Sequence, residues 1–197
     1  MRNRIHALIV AGPNGAGKST IAGDFLPGLF GIQEYVNADT IANGVSSFRP
    51  ETAAIEAGRI MLRRINALAE KKVSFGFEST LAARCYVPFI NRWNSYGYYT
   101  HVLFFALPDV AAAISRVKAR VKDGGHDVPE SVIERRFAAG LKNFFQLYAP
   151  IVSSWFLFDN SGAASPKIIA TGGKRRPLII VNDALYEKLK KVFKDAP

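Results

Sequence analysis

The residues most able to do chemistry come early, in Gly12-Pro13-Asn14-Gly15-Ala16-Gly17-Lys18-Ser19-Thr20, which satisfies every fixed position of G-x-x-x-x-G-K-[ST]. Such a run handles phosphate. Its glycines let successive backbone N–H groups turn toward a β-phosphate, the helix that follows adds its positive N-terminal end, and Lys18 reaches the β and γ oxygens. Ser19 is the expected ligand of Mg2+, a hard cation that takes a hydroxyl together with phosphate oxygens and water. ATP and Mg2+ are therefore the expected cofactors. Other phosphate-loop classes lack their signatures here: there is no N-K-x-D for guanine, no apolar strand ending in Asp-Glu, and no Ser-Gly-Gly-Gln. Asp159-Asn160-Ser161-Gly162 fits D-x-x-G formally but reads as a strand-end turn. A small kinase, which needs only ATP, Mg2+ and an acceptor hydroxyl, survives these exclusions.

A kinase also needs a group that takes the acceptor's proton or aims its hydroxyl at the γ-phosphate. Asp39 and Glu78 each follow a short apolar run and fit that need. The alternatives are a helix cap at Asp39 and a solvated turn at Glu78-Ser79-Thr80. Positive charge gathers farther on. Arg116 and Arg120 are four apart and share a helix face, and Arg135 and Arg136 lie beyond Gly124-Gly125-His126. Asp127 and Glu130 resemble a capping box that would start a second helix at that point, with Pro129 in its first turn. The pattern predicts a helical lid over residues 110–148, with Arg116, Arg120 and Arg135 directed at the transferring phosphate. Ordinary surface cations, such as Lys118 and Lys122 in the same run, are the competing explanation.

These groups need a scaffold that brings them together. Residues 5–10 read as a buried strand, 19–25 as the start of a helix, and 32–36 as a second strand. An amphipathic helix is expected over 51–70, with Ile55, Gly58, Met61, Leu62, Ile65, Leu68 and Ala69 on its apolar side. Strands are expected at 73–77, 98–107 and 155–158, a helix at 131–148, a hairpin from 168–170 and 178–181, and a closing helix at 183–194. Strands alternating with helices imply an α/β fold whose mostly parallel sheet carries helices on both faces, in a single phosphate-loop domain spanning 1–197.

In chain order, Gly12 to Thr20, Asn37-Ala38-Asp39-Thr40, Phe77-Glu78-Ser79-Thr80 and Gly124-Gly125-His126-Asp127-Val128-Pro129 resemble the zeta toxin family of phosphate-loop kinases, especially its short members. The resemblance runs from about residue 5 to 160. It implies a nucleotide-kinase-like fold and phosphorylation, with ATP and Mg2+, of a sugar hydroxyl in a nucleotide sugar such as UDP-N-acetylglucosamine. It makes Asp39 the catalytic base and Lys18 the phosphate-binding lysine. Glu78 and Thr80 fall on the substrate side, and two arginines stand near the γ-phosphate, from among Arg116, Arg120, Arg135 and Arg136. It also adds an antitoxin protein to the expected partners. The chain is shorter than the larger toxins and carries Gly-Gly-His where some of them carry other residues.

Composition bounds the rest. With 49% hydrophobic residues the chain is long enough, at 197 residues, to bury its own core. No apolar run is long enough to cross a bilayer and no cleavage signal follows Met1, so no membrane partner is expected and a cytoplasmic location is. Cys85 stands alone, which excludes an internal disulfide. A net charge of +10 favours phosphate-bearing partners. Besides a nucleotide sugar, these include a nucleoside, a nucleotide or a polynucleotide end as acceptor. A nucleic-acid-binding module that uses ATP as a structural ligand is the alternative from a different class, motivated by Lys174-Arg175-Arg176 and the lysines of the last helix.

Overall fold

The computed structural model describes residues 4–46, 50–125, 127–162 and 165–194. Seven strands form one sheet: β1 (His6–Ala11), β2 (Glu34–Val36), β3 (Phe75–Ser79), β4 (Tyr99–Ala106), β5 (Ser154–Asp159), β6 (Lys167–Gly173) and β7 (Arg176–Ile180). Their order is β2-β3-β1-β4-β5-β6-β7; the first five run parallel, and β6 and β7 add an antiparallel hairpin at one edge. The connections change side at β1, whose neighbours are β3 and β4, and in open α/β sheets such a switch point opens a crevice beyond the strands' C-terminal ends. The phosphate loop leaves β1 at that place.

Alternation along the central strands supplies two cores. Ala7, Ile9, Val102 and Phe104 face the side covered by α3 (Ala54–Glu70), α4 (Tyr86–Ser95) and α7 (Asp183–Lys194). Leu8, Val10, Leu103 and Phe105 face α1 (Lys18–Phe30) and α5 (Val110–Lys122). Strands apolar on both faces are what a doubly covered parallel sheet requires. Trp93, Phe75 and Phe77 meet edge-on in the first core, with ring centroids 5.1 and 6.0 Å from the indole. Each such fully buried side chain contributes roughly 1.5–3 kcal/mol of transfer free energy. Among the described residues, no helix is long and apolar enough to cross a membrane.

Several local expectations change. The segment 51–70 opens as a 3-10 turn, Pro50–Ala53, and the α-helix starts only at Ala54. Ile55 is 75% exposed, because six residues before Met61 it lies about 240° around the helix from the Met61, Ile65 and Leu68 stripe. The first helix continues past residue 25 to Phe30 and stops where Gly31 turns left-handed, φ 59°. Helix α4 has no counterpart among the expected elements: Pro88 and the mixed polar and aromatic residues hide a stripe of Tyr86, Ile90 and Trp93, although proline is tolerated in a first turn. Helix α6 runs Glu130–Asn143 and passes into a π turn, Phe144–Tyr148.

The capping box does not form. Pro129 is the N-cap of α6 without a side-chain bond, and Asp127 Oδ1 accepts from the Val128 N–H at 2.8 Å, three residues outside the helix. The Glu130 carboxylate pairs instead with Lys118 across the α5–α6 connection, at 2.6 Å. Gly124 takes φ 82° there, and a Cβ on Gly125 would lie 2.5 Å from Arg120 Cγ, so both glycines are required, the second for close approach. His126 lies outside the described residues.

Candidate active site

The loop from Gly12 to Gly17 holds positive φ at Gly12 (142°), Gly15 (78°) and Gly17 (71°). A Cβ on Gly12 would sit 2.3 Å from the Phe105 carbonyl oxygen, so the loop can press against β4 only with glycine there. From the end of β5, Asn160 Nδ2 donates to Ala16 O at 2.8 Å while its own N–H donates to Ala106 O at 3.0 Å. The Asp159–Gly162 stretch is thus a strand-end turn, closed by Ser161 N–H to Asp159 Oδ1 at 2.9 Å, and it braces the phosphate loop.

Lys18 opens α1 and is buried, 6% exposed. Its Nζ donates to Pro13 O at 2.8 Å and lies 3.7 Å from Glu78 Oε1. Burial pushes the Lys18 pKa down; Glu78 and Asp39 oppose that shift, and the Arg120 charge adds to it. The other Glu78 oxygen is a hub: Oε2 accepts from Ser19 Oγ at 2.7 Å, Asn37 Nδ2 at 2.9 Å and Tyr35 OH at 3.3 Å. The same carboxylate, after burial, drives the Tyr35 pKa far above its ordinary value. Glu78 therefore lies within β3, one residue before its end, rather than after it.

Asp39 sits in the first turn of α2 (Ala38–Val45). The cap of that helix is Asn37, whose Oδ1 accepts from Asp39 N–H at 2.7 Å and Thr40 N–H at 3.4 Å. The Asp39 carboxylate is consequently not the cap, and it lines a cavity of about 450 Å3 together with Lys18, Glu78, Thr80, Arg135 and Arg136. Met61 and Tyr86 add apolar surface. Arg136 is half-buried; burial lowers its pKa, Asp39 raises it, and Arg135 lowers it further, so the guanidinium lies in the field of both neighbours. Arg116 is not among the lining residues: its Nη2 donates to Ser161 O at 2.9 Å, and its Cβ would touch a Cβ built on Gly15. Arg120 also stands on the phosphate-loop side, within electrostatic reach of Lys18. The arginines thus divide into two groups, Arg116 and Arg120 beside the loop, and Arg135 and Arg136 in the cavity.

The cavity floor, residues 80–83, is fastened to α6. Asn143 Nδ2 donates to Leu81 O and Ala82 O, both at 2.9 Å, and the hydroxyl of Tyr148 donates to Ala83 O. Leu81 adopts φ 55°, a conformation costing a non-glycine residue about 1–2 kcal/mol, and these bonds hold it there. A Cβ on Gly140 would fall 2.3 Å from Thr80 O. Gly140→Ala is therefore expected to destabilise the fold by about 2 kcal/mol, lowering the melting temperature by about 5 °C in calorimetry. An unchanged melting temperature would mean that the floor yields freely.

Tyr35, Asn37, Asn143 and Asn160 join the site without any sequence pattern that marks them as site residues. Asn37 enters the sequence reading only as part of the Asn37-Ala38-Asp39-Thr40 motif, and the other three act through bonds to residues 43 to 144 positions away.

No protein-family model matches the chain. An uncharacterised protein of Haemophilus influenzae is 29% identical over 137 residues, which cover 70% of this chain and 94% of that protein. Among solved structures, the AvrRxo1-ORF1:-ORF2 complex with ATP superposes with a TM-score of 0.72 at 17% identity, covering 94% of this chain; the chain spans 63% of that chain's length. The PezAT chromosomal toxin–antitoxin system of Streptococcus pneumoniae gives 0.66 at 12% identity, covering 98% of this chain and 80% of that one. A gluconokinase from Sinorhizobium meliloti gives 0.51 at 13% identity over 98% and 96%. At these identities the likeness is one of architecture: the chain shares the mixed α/β fold of these proteins.

Proposed function

We propose that the protein is an ATP-dependent small-molecule kinase that transfers the γ-phosphate to a sugar hydroxyl of a nucleotide sugar of the UDP-N-acetylglucosamine kind. The observation that carries this reading is the convergence of Asn14 and Lys18 of a complete phosphate loop, Asp39 and two arginines on one cavity of about 450 Å3. That volume lies within the roughly 300–1,000 Å3 typical of small-molecule sites.

In this mechanism the loop N–H groups and Lys18 hold the β- and γ-phosphates. Asp39 accepts the acceptor's hydroxyl proton as that oxygen bonds to the γ-phosphorus and the bridging P–O bond to ADP breaks. Arg135 and Arg136 face the charge that builds on the transferring group, where fixed cations stabilise the transition state most. Ser19 Oγ, with the Glu78 carboxylate 2.7 Å away, is a hard-oxygen donor set that fits Mg2+. Bound there, Mg2+ would neutralise the β- and γ-phosphate oxygens. Glu78 holds the Ser19 proton, which leaves the hydroxyl lone pairs free to face the nucleotide, and it lines the cavity beside Thr80 on the acceptor's side.

The AvrRxo1-ORF1:-ORF2 structure is of a two-protein complex and PezAT is described as a toxin–antitoxin system, which motivates a protein partner that restrains this kinase. The test is incubation with labelled ATP, Mg2+ and, separately, UDP-N-acetylglucosamine, a nucleoside, an oligonucleotide and a metabolite extract. Wild type is expected to label the nucleotide sugar, and Asp39→Asn to do so about 10²–10⁴-fold more slowly, the range for losing a general base. Label on the nucleoside or oligonucleotide alone would move the acceptor to that class, and no label on any of them would end the kinase reading.

A further inference from the structure

Asn37 stands where three parts of the site meet. Its backbone is extended (φ −125°, ψ 124°), and its Oδ1 caps α2 by accepting from Asp39 N–H and Thr40 N–H. Those two backbone donors fix which end of the carboxamide is oxygen. The other end, Nδ2, therefore points the opposite way, donating to Glu78 Oε2 at 2.9 Å and reaching Ser19 Oγ at 3.4 Å. One planar amide joins the helix that carries Asp39 to the hydroxyl beside the phosphate-loop lysine.

Capping does not explain this choice of residue. Serine, threonine and aspartate supply a cap acceptor about as well as asparagine, but of these four only asparagine has a second group that donates from the far side. The donor half has its own partners, and they belong to the nucleotide side of the site. Tyr35, bonded to the same Glu78 oxygen from β2, holds that carboxylate in place for Asn37.

We propose that Asn37 is a positioning residue: through Nδ2, bonded to Glu78 and Ser19, it sets the first turn of α2, and with it Asp39, at a fixed distance from the phosphate loop. This rests on the kinase reading of the site. On that reading the loop backbone and Lys18 hold ATP directly, and Asn37 touches neither; it reaches the nucleotide only indirectly, through Ser19 and Glu78 beside the Mg2+ position. Loss of the donor should therefore spare nucleotide affinity and misplace the base, and a misplacement of about 1 Å can cost on the order of 10²-fold in rate.

The test uses Asn37→Ser, which keeps a cap acceptor and removes the amide donor; Asn37→Thr, which does the same with a β-branched cap, replaces it should the serine variant fail to fold. Amide hydrogen exchange of Asp39, Thr40 and Ile41 is followed with and without Mg-ATP, alongside steady-state kinetics with UDP-N-acetylglucosamine as the acceptor. In wild type Mg-ATP should slow exchange across this turn, and in Asn37→Ser that protection should vanish while ATP affinity stays within about threefold. The variant's kcat should fall about 10²-fold, with no further fall when it is combined with Asp39→Asn. An equal fall in the Asp39→Asn background, or equal protection of the turn in wild type and variant, would overturn the proposal. If wild type does not phosphorylate UDP-N-acetylglucosamine, that acceptor is wrong, and the exchange measurement alone decides whether the tether exists.

Discussion

Replacing Arg136 with alanine is expected to lower turnover by about 10³-fold, about 4 kcal/mol of transition-state stabilisation, while ATP affinity changes little. Among the arginine candidates, Arg135 and Arg136 line the cavity, and Arg136 is half-buried in the field of Asp39. A cation held in a partly dry site by packing meets developing charge without first reorganising, which is why such groups act on the transition state rather than on nucleotide binding. Arg136→Lys should recover only part of the rate, because the ammonium lacks the planar fork that grips two phosphate oxygens. Arg116→Ala should cost less, since that guanidinium is bonded to the Ser161 carbonyl and stands outside the cavity. Kinetics with ATP and acceptor varied separately would check this. A normal kcat with a raised acceptor KM would place Arg136 on the acceptor's own phosphate and return the transferring group to Arg135 or Arg120.

That division of the arginines shows where sequence reasoning stops. The phosphate loop is a local object: its spacing fixes backbone turns within a few residues, so Gly12 to Ser19 could be read directly. The β-α alternation was equally legible, because strands buried on both faces are continuous apolar runs. Arginine register is not local. Whether Arg116 or Arg136 faces the cavity depends on how α6 docks, and α6 docks by Gly140 pressing on Thr80 and Asn143 binding the 81–82 carbonyls. No periodicity encodes those contacts. The failed capping box has a similar cause, since Glu130 finds Lys118, a partner on another helix, and leaves Asp127 outside. The cap expected as the alternative role of Asp39 falls to Asn37, two residues earlier, and the opposite end of that carboxamide is visible only once β3 is alongside.

At the other end of the sheet, acid is expected to destabilise the protein through a half-buried histidine pair. His6 Nδ1 lies 2.9 Å from His101 Nε2, and His101 Nδ1 lies 2.8 Å from Ser154 Oγ, with the two imidazoles stacked at 5.1 Å. Burial, with the His6 and Arg176 charges added, pushes the His101 pKa down to about 4. Unfolded, the same ring would titrate near 6.5. Above that pH both states are neutral and the pair has no effect on pH dependence. As the pH falls from about 6.5 toward about 4 the unfolded chain takes up the proton first, and stability declines by as much as about 3 kcal/mol. His6, lowered by burial and by Arg4, works in the same direction. Urea midpoints at pH 7 and pH 4.5 should show the drop in wild type and a shallower one in His101→Gln; parallel slopes in the two proteins would remove the pair from the explanation.

The attachment of α6 to residues 80–83 has a consequence for how an enzyme of the proposed kind could change its acceptor. Residues 80–83 and the segment that carries Arg135 and Arg136 are joined by Gly140, Asn143 and Tyr148, so the two sides of the cavity are mechanically linked. If the cavity works as proposed, mutations that reshape residues 80–83 to admit a bulkier acceptor should also tilt the helix that carries Arg135 and Arg136, and selectivity and rate should change together. Segments 80–83 and 130–148 form the smallest unit that could be exchanged between such enzymes with both properties kept, and a graft of either alone should yield a protein that binds its new acceptor and leaves it unmodified.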